Sequence, residues 1–257
     1  MKWREYGGTP VDRAHLPVDG RSWSEIAAEM TAARQHDADW RRGRTGSLVY
    51  WAGDEAQQVI KDVDEAETAP VCGWIVDLQL NIGGNSWVMV LGAGPILGEG
   101  QAGSYIYPDG RQVPWSYVNG TYLSDQVSTR SVPEPYHLKQ PMPPVAVLTG
   151  RSTASAGEQT LISFLGREGV KSFGEPTFGV PNAAVGKILS DGALINVAGA
   201  LMADRAGYVY DYNERIAPDQ EVATEQNFAQ VGTDNDRVVQ AATQWLESQG
   251  SCAESNP

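Results

Sequence analysis

Residues 144–166 read PVAVLTGRSTASAGEQTLISFLG. Val145 to Leu148 is a short apolar run of strand character, and Leu161, Ile162 and Leu165 recur at helical spacing after a polar turn. The spacing therefore predicts strand, turn, helix, with Ser155 where the helix begins. Backbone N–H groups at a helix start have no intrahelical partner and carry partial positive charge. They could stabilise the oxyanion formed when the Ser155 hydroxyl attacks a carbonyl. The same residues also fit a structural role, because Ser155-x-x-Glu158 ahead of an apolar run is a capping-box pattern.

A second unit of the same kind lies upstream. Val71 to Leu78 is a nearly continuous apolar run, as expected of a strand covered on both faces. The turn Asn81-Ile82-Gly83-Gly84-Asn85 follows, and Trp87 to Leu97 reads as a helix stopping near Gly98. If the two strands are neighbours in one sheet, their carboxyl ends open on the same edge, where ligands bind in open α/β sheets. The Gly83 or Gly84 amide and the Ala156 amide would then converge as a two-donor oxyanion hole. Glycine suits that place because backbone must approach the substrate without a side chain in the way.

The remaining elements frame these two. Ile26, Ala27, Met30 and Ala33 mark an amphipathic helix, Arg41, Arg42 and Arg44 a solvated basic patch, Ser47 to Trp51 a short strand, and Asp54 to Val63 another helix. Residues 100 to 140, rich in Gly, Pro, Tyr and Ser, hold hairpin strands at 104–107 and 113–119 and read as an insert that contacts substrate. A strand at 170–173 and the turn Gly174 to Gly179 come next. Ser190-Asp191-Gly192 then joins two β segments, 183–189 and 193–202, and a last helix runs from Asp234 to Ser248. The expected domain division is a mainly helical segment over 1–55 and an α/β core over 56–250 carrying the 100–140 insert.

Composition narrows the function. The 257 residues carry a formal charge of −13 and a sequence pI near 4.6, which argues against nucleic-acid or anionic-membrane partners. Cys72 and Cys252 stand alone, so neither a disulfide framework nor a cysteine metal cluster is indicated, and a reducing compartment is compatible. No secretion signal or membrane span is legible, which gives a cytoplasmic expectation, although a longer precursor would alter it. Three dispersed histidines make no metal set, and no cofactor is expected. Asp77 and Asp219 read as turn and strand-end acceptors, and Asp204-Arg205 as a local salt bridge or loop anchor.

The motifs GWIVDLQLNIGGN, PPVAVLTGRSTASAGE, FGEPTFG, LSDGALINV and IAPDQEV occur in the order of the tail-specific, or carboxyl-terminal processing, serine peptidases. Over about residues 55–225 the chain resembles that family, and the nisin-resistance type of branch in particular. The resemblance implies a β-β-α superhelical core of the kind shared with crotonases and Clp-type peptidases, peptide or protein substrates, and cleavage near their carboxyl termini. It places Ser155 on the nucleophile, Gly83, Gly84 and Ala156 on or beside the oxyanion hole, and Glu158 on an acidic position that supports the site. Self-association is left open.

A serine hydroxyl needs a base within hydrogen-bond reach. Relatives with a Ser-Lys pair carry lysine directly after FGEPTFG, where this chain has Val180. Lys187 lies seven residues further on, in a strand pattern. The resemblance otherwise implies a histidine from an amino-terminal region, and His36 is the candidate, with His15 in an irregular leader. His137 precedes the strand leading to Ser155, and about six strand residues at ~3.3 Å each put it roughly 20 Å away. Residues 20–55 are similar instead to the segment ahead of the cofactor domain in pyridoxal-phosphate decarboxylases and sphingosine-phosphate-lyase-like enzymes. The cofactor lysine of those enzymes would lie in a domain absent here, so no pyridoxal phosphate is inferred. A non-catalytic peptide-binding relic that has lost its base remains the alternative to a peptidase, and a crotonase-like acyl-thioester enzyme is a third reading.

Overall fold

The computed structural model describes residues 53–66, 71–125, 127–225, 227 and 229–253. Helix α1 (Gly53–Ala66) leads to strand β1 (Trp74–Asp77) and helix α2 (Ser86–Leu97). Strands β2 (Gly100–Ile106), β3 (Gln112–Val118), β4 (Thr121–Ser124) and β5 (Val127–Ser131) follow, then β6 (Val145–Thr149), helix α3 (Ala156–Phe164) and β7 (Val170–Gly174). The chain continues through β8 (Asn182–Ile188), β9 (Leu194–Asp204), β10 (Val209–Tyr210) and β11 (Gln220–Glu221) to helices α4 (Arg237–Glu247) and α5 (Gly250–Ala253). This is a mixed α/β fold built on two sheets.

The first sheet is parallel, in the order β1-β6-β7-β11. Strands β1 and β6 are buried along their length and almost wholly apolar because both faces are covered, whereas β7 carries Lys171 and Ser172 and the short edge strand β11 is the exposed pair Gln220-Glu221. In β6, Val145 and Val147 join the larger core, which includes α1, α2, α3 and the second sheet, while Ala146 and Leu148 join a smaller core under α4. Helix α2 is apolar all round for the same reason: it lies between other layers and buries eight of its residues. Trp74 pairs with Val145 and Asp77 with Leu148, so β1 and β6 are parallel neighbours and both strand-to-helix turns open on one edge.

The second sheet is antiparallel, β10-β9-β2-β3-β4-β5, with β8 paired to β9. Residues 100–140 are therefore not appended to the core but form part of it. They supply four of the seven strands, and Trp115, Tyr117 and Tyr122 are among the largest fully buried side chains. The Trp115 indole N–H donates to Ser163 Oγ at 3.0 Å, tying this sheet to α3. Helix α4 starts three residues later than its apolar spacing suggests, because Asp236 caps it by accepting the Val238 N–H at 2.8 Å.

The cysteines correct the sequence reading. Cys72 and Cys252 are disulfide-bonded across a separation of 180 residues, with Cα atoms 4.9 Å apart. Cys252 is brought back to β1 because α4 packs its apolar face on the first sheet, close enough that a Cβ on Gly73 would meet Leu246 Cδ2 at 2.8 Å. A reducing, cytoplasmic setting therefore no longer follows from the cysteines. Cys72→Ser is expected to cost about 2–4 kcal/mol. Urea unfolding of the wild type with reductant should shift by the same amount, and a midpoint indifferent to reductant would remove the bond from the account. Among the described residues no helix is long and apolar enough to cross a membrane.

Candidate active site

The turn after β6 is stitched to the turn after β1. Thr153, fully buried, donates its hydroxyl to Leu78 O at 2.7 Å and accepts the Gly150 N–H at 2.9 Å. The Ala154 N–H donates to Asn81 O at 2.9 Å. Asn81 also folds its own turn back, its Oδ1 accepting the Gly83 N–H at 2.9 Å. Ser155, next along the chain, stands at φ 53° and ψ −114°. An L-residue with a positive φ of this kind holds a strained conformation that the surrounding structure must impose. The geometry turns β6 sharply into α3 and leaves Ser155 half-exposed at the helix start.

Gly83 lies directly against that elbow. A Cβ there would sit 2.9 Å from both Ser155 Cβ and Ala154 O and 3.3 Å from Ala156 N, at φ +99°. Only glycine fits. The Gly83 amide is taken by Asn81, whereas the amides of Gly84 and Ala156, which flank the Gly83–Ser155 contact, have no hydrogen-bond partner among the described residues. Ala156 is the first residue of α3, where no intrahelical acceptor exists.

Glu158 is fully buried and holds three segments together. Its Oε2 accepts the Ser155 N–H at 2.8 Å, which is Glu158's half of the capping box, and the Val180 N–H at 3.0 Å. Its Oε1 accepts the Thr177 hydroxyl at 2.6 Å and the Gly179 N–H at 2.9 Å. Burial pushes the carboxyl above its ordinary value, against the pull of these four donors. The 177–180 turn is fixed in its own right: Phe178 N–H donates to Thr153 O at 2.8 Å, and the Arg215 guanidinium donates to Thr177 O at 2.6 Å and Pro176 O at 2.9 Å. Arg151, just before the elbow, pairs with Glu175 at 2.8 Å.

The structure thus brings Gly83, Gly84, Ser155, Ala156 and Glu158 to one place. His36 and His15 lie outside the described residues. His137 is exposed, on a segment bound to α1 through Tyr136 and Lys139, which both donate to Asp64 Oδ2. It precedes β6, whereas Ser155 follows the opposite end of that strand. Lys187 is exposed on β8. Asp77 accepts the Gln79 N–H, and Asp219 accepts the Ser172 N–H and hydroxyl, both as expected of turn and strand-end carboxylates. Asp204 anchors its loop through the Ala206 and Tyr208 amides, but Arg205 reaches away from it to Ser163 O at 2.6 Å. Among the described residues no group of His, Cys, Asp or Glu could hold a metal ion. Asn81, Thr177 and Arg215 were not singled out by sequence. The Asn before a Gly-Gly turn was the one available signal, since Asn side chains cap their own turns.

The sequence model of Peptidase family S41 matches residues 44–222, more than two thirds of the chain. The chain belongs to peptidase family S41. A nisin-resistance protein from Lactococcus lactis subsp. lactis is 32% identical over 177 residues, covering 69% of this chain and 50% of that protein. Among solved structures, a lipoprotein from Streptococcus agalactiae aligns with a TM-score of 0.54 at 25% identity, over 80% of this chain and 64% of that one. A structure described as a putative peptidase from Parabacteroides merdae shares the fold, with a TM-score of 0.52 at 21% identity over 80% of this chain and 60% of that one. This S41 chain therefore spans about half the length of the nisin-resistance protein and under two thirds of the lipoprotein. The pyridoxal-phosphate-enzyme resemblance of residues 20–55 finds no support, and the S41 match itself begins inside that stretch.

Proposed function

We propose that this chain is a serine-type peptidase that cleaves peptide or protein substrates, with Ser155 as nucleophile. The observation that carries the reading is the Ser155 elbow, held at positive φ against a glycine that no other residue could replace. Strain of this kind concentrates where a structure needs a group in a particular place. The oxyanion would be met by the Ala156 and Gly84 amides, with Gly83 supplying the room for its approach rather than a donor. Glu158 would position the elbow and the 177–180 turn and take no proton in the reaction. His36 is the proposed base, the β-β-α superhelix the proposed finer fold, and cleavage near carboxyl termini the proposed specificity. A lipoprotein and a nisin-resistance protein among the similar proteins, together with the disulfide, favour an oxidising setting outside the cytoplasm.

In the reaction, the base removes the Ser155 proton as Oγ attacks the scissile carbonyl. The negative charge passes to the carbonyl oxygen between the two amides, and the same base returns the proton to the leaving amine. A binding relic of the family is the second reading, favoured by one fact: Val180 contributes a backbone amide to Glu158 and no basic side chain. A fluorophosphonate probe separates the two. Labelling mapped by mass spectrometry to Ser155 is expected, and absence of any adduct there would leave the relic.

A further inference from the structure

The ribbon formed by β8 and β9 leaves the body of the second sheet. Asn182 to Ile188 pair with Leu201 to Leu194, whereas β2 pairs with β9 only at 201–204 and β10 only at 202–203. Beyond that root the ribbon has two strands, and the outer edge of β8 has no partner among the described strands. A two-stranded ribbon alone in water is marginal. This one also exposes apolar side chains: Val185 at 48%, Ile195 at 45% and Val197 at 53%, with Ile188 and Leu194 higher still near the tip. The pairs Val185↔Val197 and Lys187↔Ile195 put three of these on one face.

The size and position of the ribbon limit what can cover it. A seven-residue ribbon is roughly 23 Å long and about 10 Å wide. One face therefore offers roughly 230 Å², well short of the ~800 Å² per partner of a stable protein interface. A single added strand needs no such area, because main-chain hydrogen bonds to the edge supply its affinity. The ribbon also starts at the site. Gly179 and Val180 donate to Glu158, Asn182 N–H donates to Val180 O at 2.8 Å, and β8 runs on from there. We propose, resting on the peptidase reading above, that the outer edge of β8 takes an extended apolar stretch of substrate polypeptide as a further strand and leads it to Ser155. Alternate apolar side chains of that stretch continue the Val185–Val197–Ile195 face.

The test measures binding to the full chain carrying Ser155→Ala, which blocks turnover. The probe is a fluorescein-labelled peptide of eight alternating valines and threonines with a lysine at each end, followed by anisotropy. Saturable binding is expected, weakened at least tenfold by N-methylation of alternate residues in one register and retained in the other, because only one set of amides faces β8. Val185→Lys with Ile195→Lys should weaken binding at least tenfold with circular dichroism unchanged, and the N-methylated peptides keep the test valid if that variant does not fold. No saturable binding, or binding indifferent to both changes, overturns the proposal. So does self-association, or sedimentation with phosphatidylcholine vesicles, that the double substitution abolishes, since either names a different occupant. Cleavage of the unlabelled peptide by wild type without ribbon-dependent binding would sink this proposal alone. Ribbon-dependent binding with neither cleavage nor labelling would sink the peptidase reading.

Discussion

Ser155→Ala should abolish fluorophosphonate labelling and lower peptide turnover by about 10⁶-fold, the scale of removing a nucleophile from a serine peptidase. Alanine removes only the hydroxyl. The strained backbone is held by the Glu158, Asn81 and Thr153 contacts, so the fold should survive with the loss of the hydroxyl's half of the capping box, about 0.5–2 kcal/mol. His36→Ala should fall to nearly the same floor, and the double variant should fall no further, because nucleophile and base act as a unit. Full turnover in His36→Ala would remove that histidine from the mechanism while leaving Ser155 in place. Wild-type turnover in Ser155→Ala would end the assignment of the nucleophile.

Glu158→Leu should give the largest loss of stability. It leaves the buried Gly179 amide and Thr177 hydroxyl, and the half-buried amides of Ser155 and Val180, without their acceptor. At about 1–3 kcal/mol for each orphaned buried donor, moderated by local relaxation, the cost is at least about 3–5 kcal/mol. For a chain of this size that is a fall in Tm of roughly 6–20 °C. A milder variant, Glu158→Gln, reads out the charge. Burial raises the folded carboxyl above its unfolded value of 4.5, so the folded state holds the proton more tightly. Its contribution is full below that value and fades as pH rises through the folded one. Stability of the wild type should therefore decline with pH across that window more steeply than that of Glu158→Gln. Identical slopes would show that the four donors cancel the effect of burial.

Much of the frame was legible because it is local. The apolar run and polar turn of 144–166 predict β6, the elbow and α3, and Ser190-Asp191-Gly192 predicts the β8–β9 hairpin. The parallel pairing of β1 with β6 was accessible only as a condition, since a strand does not announce its neighbour. What pairs residues far apart in the chain was not legible. Cys72 and Cys252 look isolated when 180 residues separate them. Residues 100–140 look like an insert because Gly, Pro and Ser interrupt them repeatedly, and the burial of Trp115, Tyr117 and Tyr122 depends on layers contributed by distant parts of the chain. Glu158 could be placed in a capping box, but its three contacts with 177–180 depend on a return of the chain that spacing does not encode. Exposure of the ribbon was hidden for a related reason: alternating apolar residues predict a strand whether or not another layer covers it.

The four-strand parallel sheet has a further consequence for how the protein is made. Residues 81–84, 154–158 and 177–180 meet only when β1, β6 and β7 lie side by side, and the Thr153–Leu78 bond alone spans 75 positions. Contacts of such high order form late, after the chain entropy of long loops has been lost. Helix α4, which covers the other face of that sheet, follows β6 by some ninety positions in the chain. The elbow is thus assembled only once these strands have paired, so a partly unfolded chain does not present Ser155, the proposed nucleophile, to the polypeptides around it.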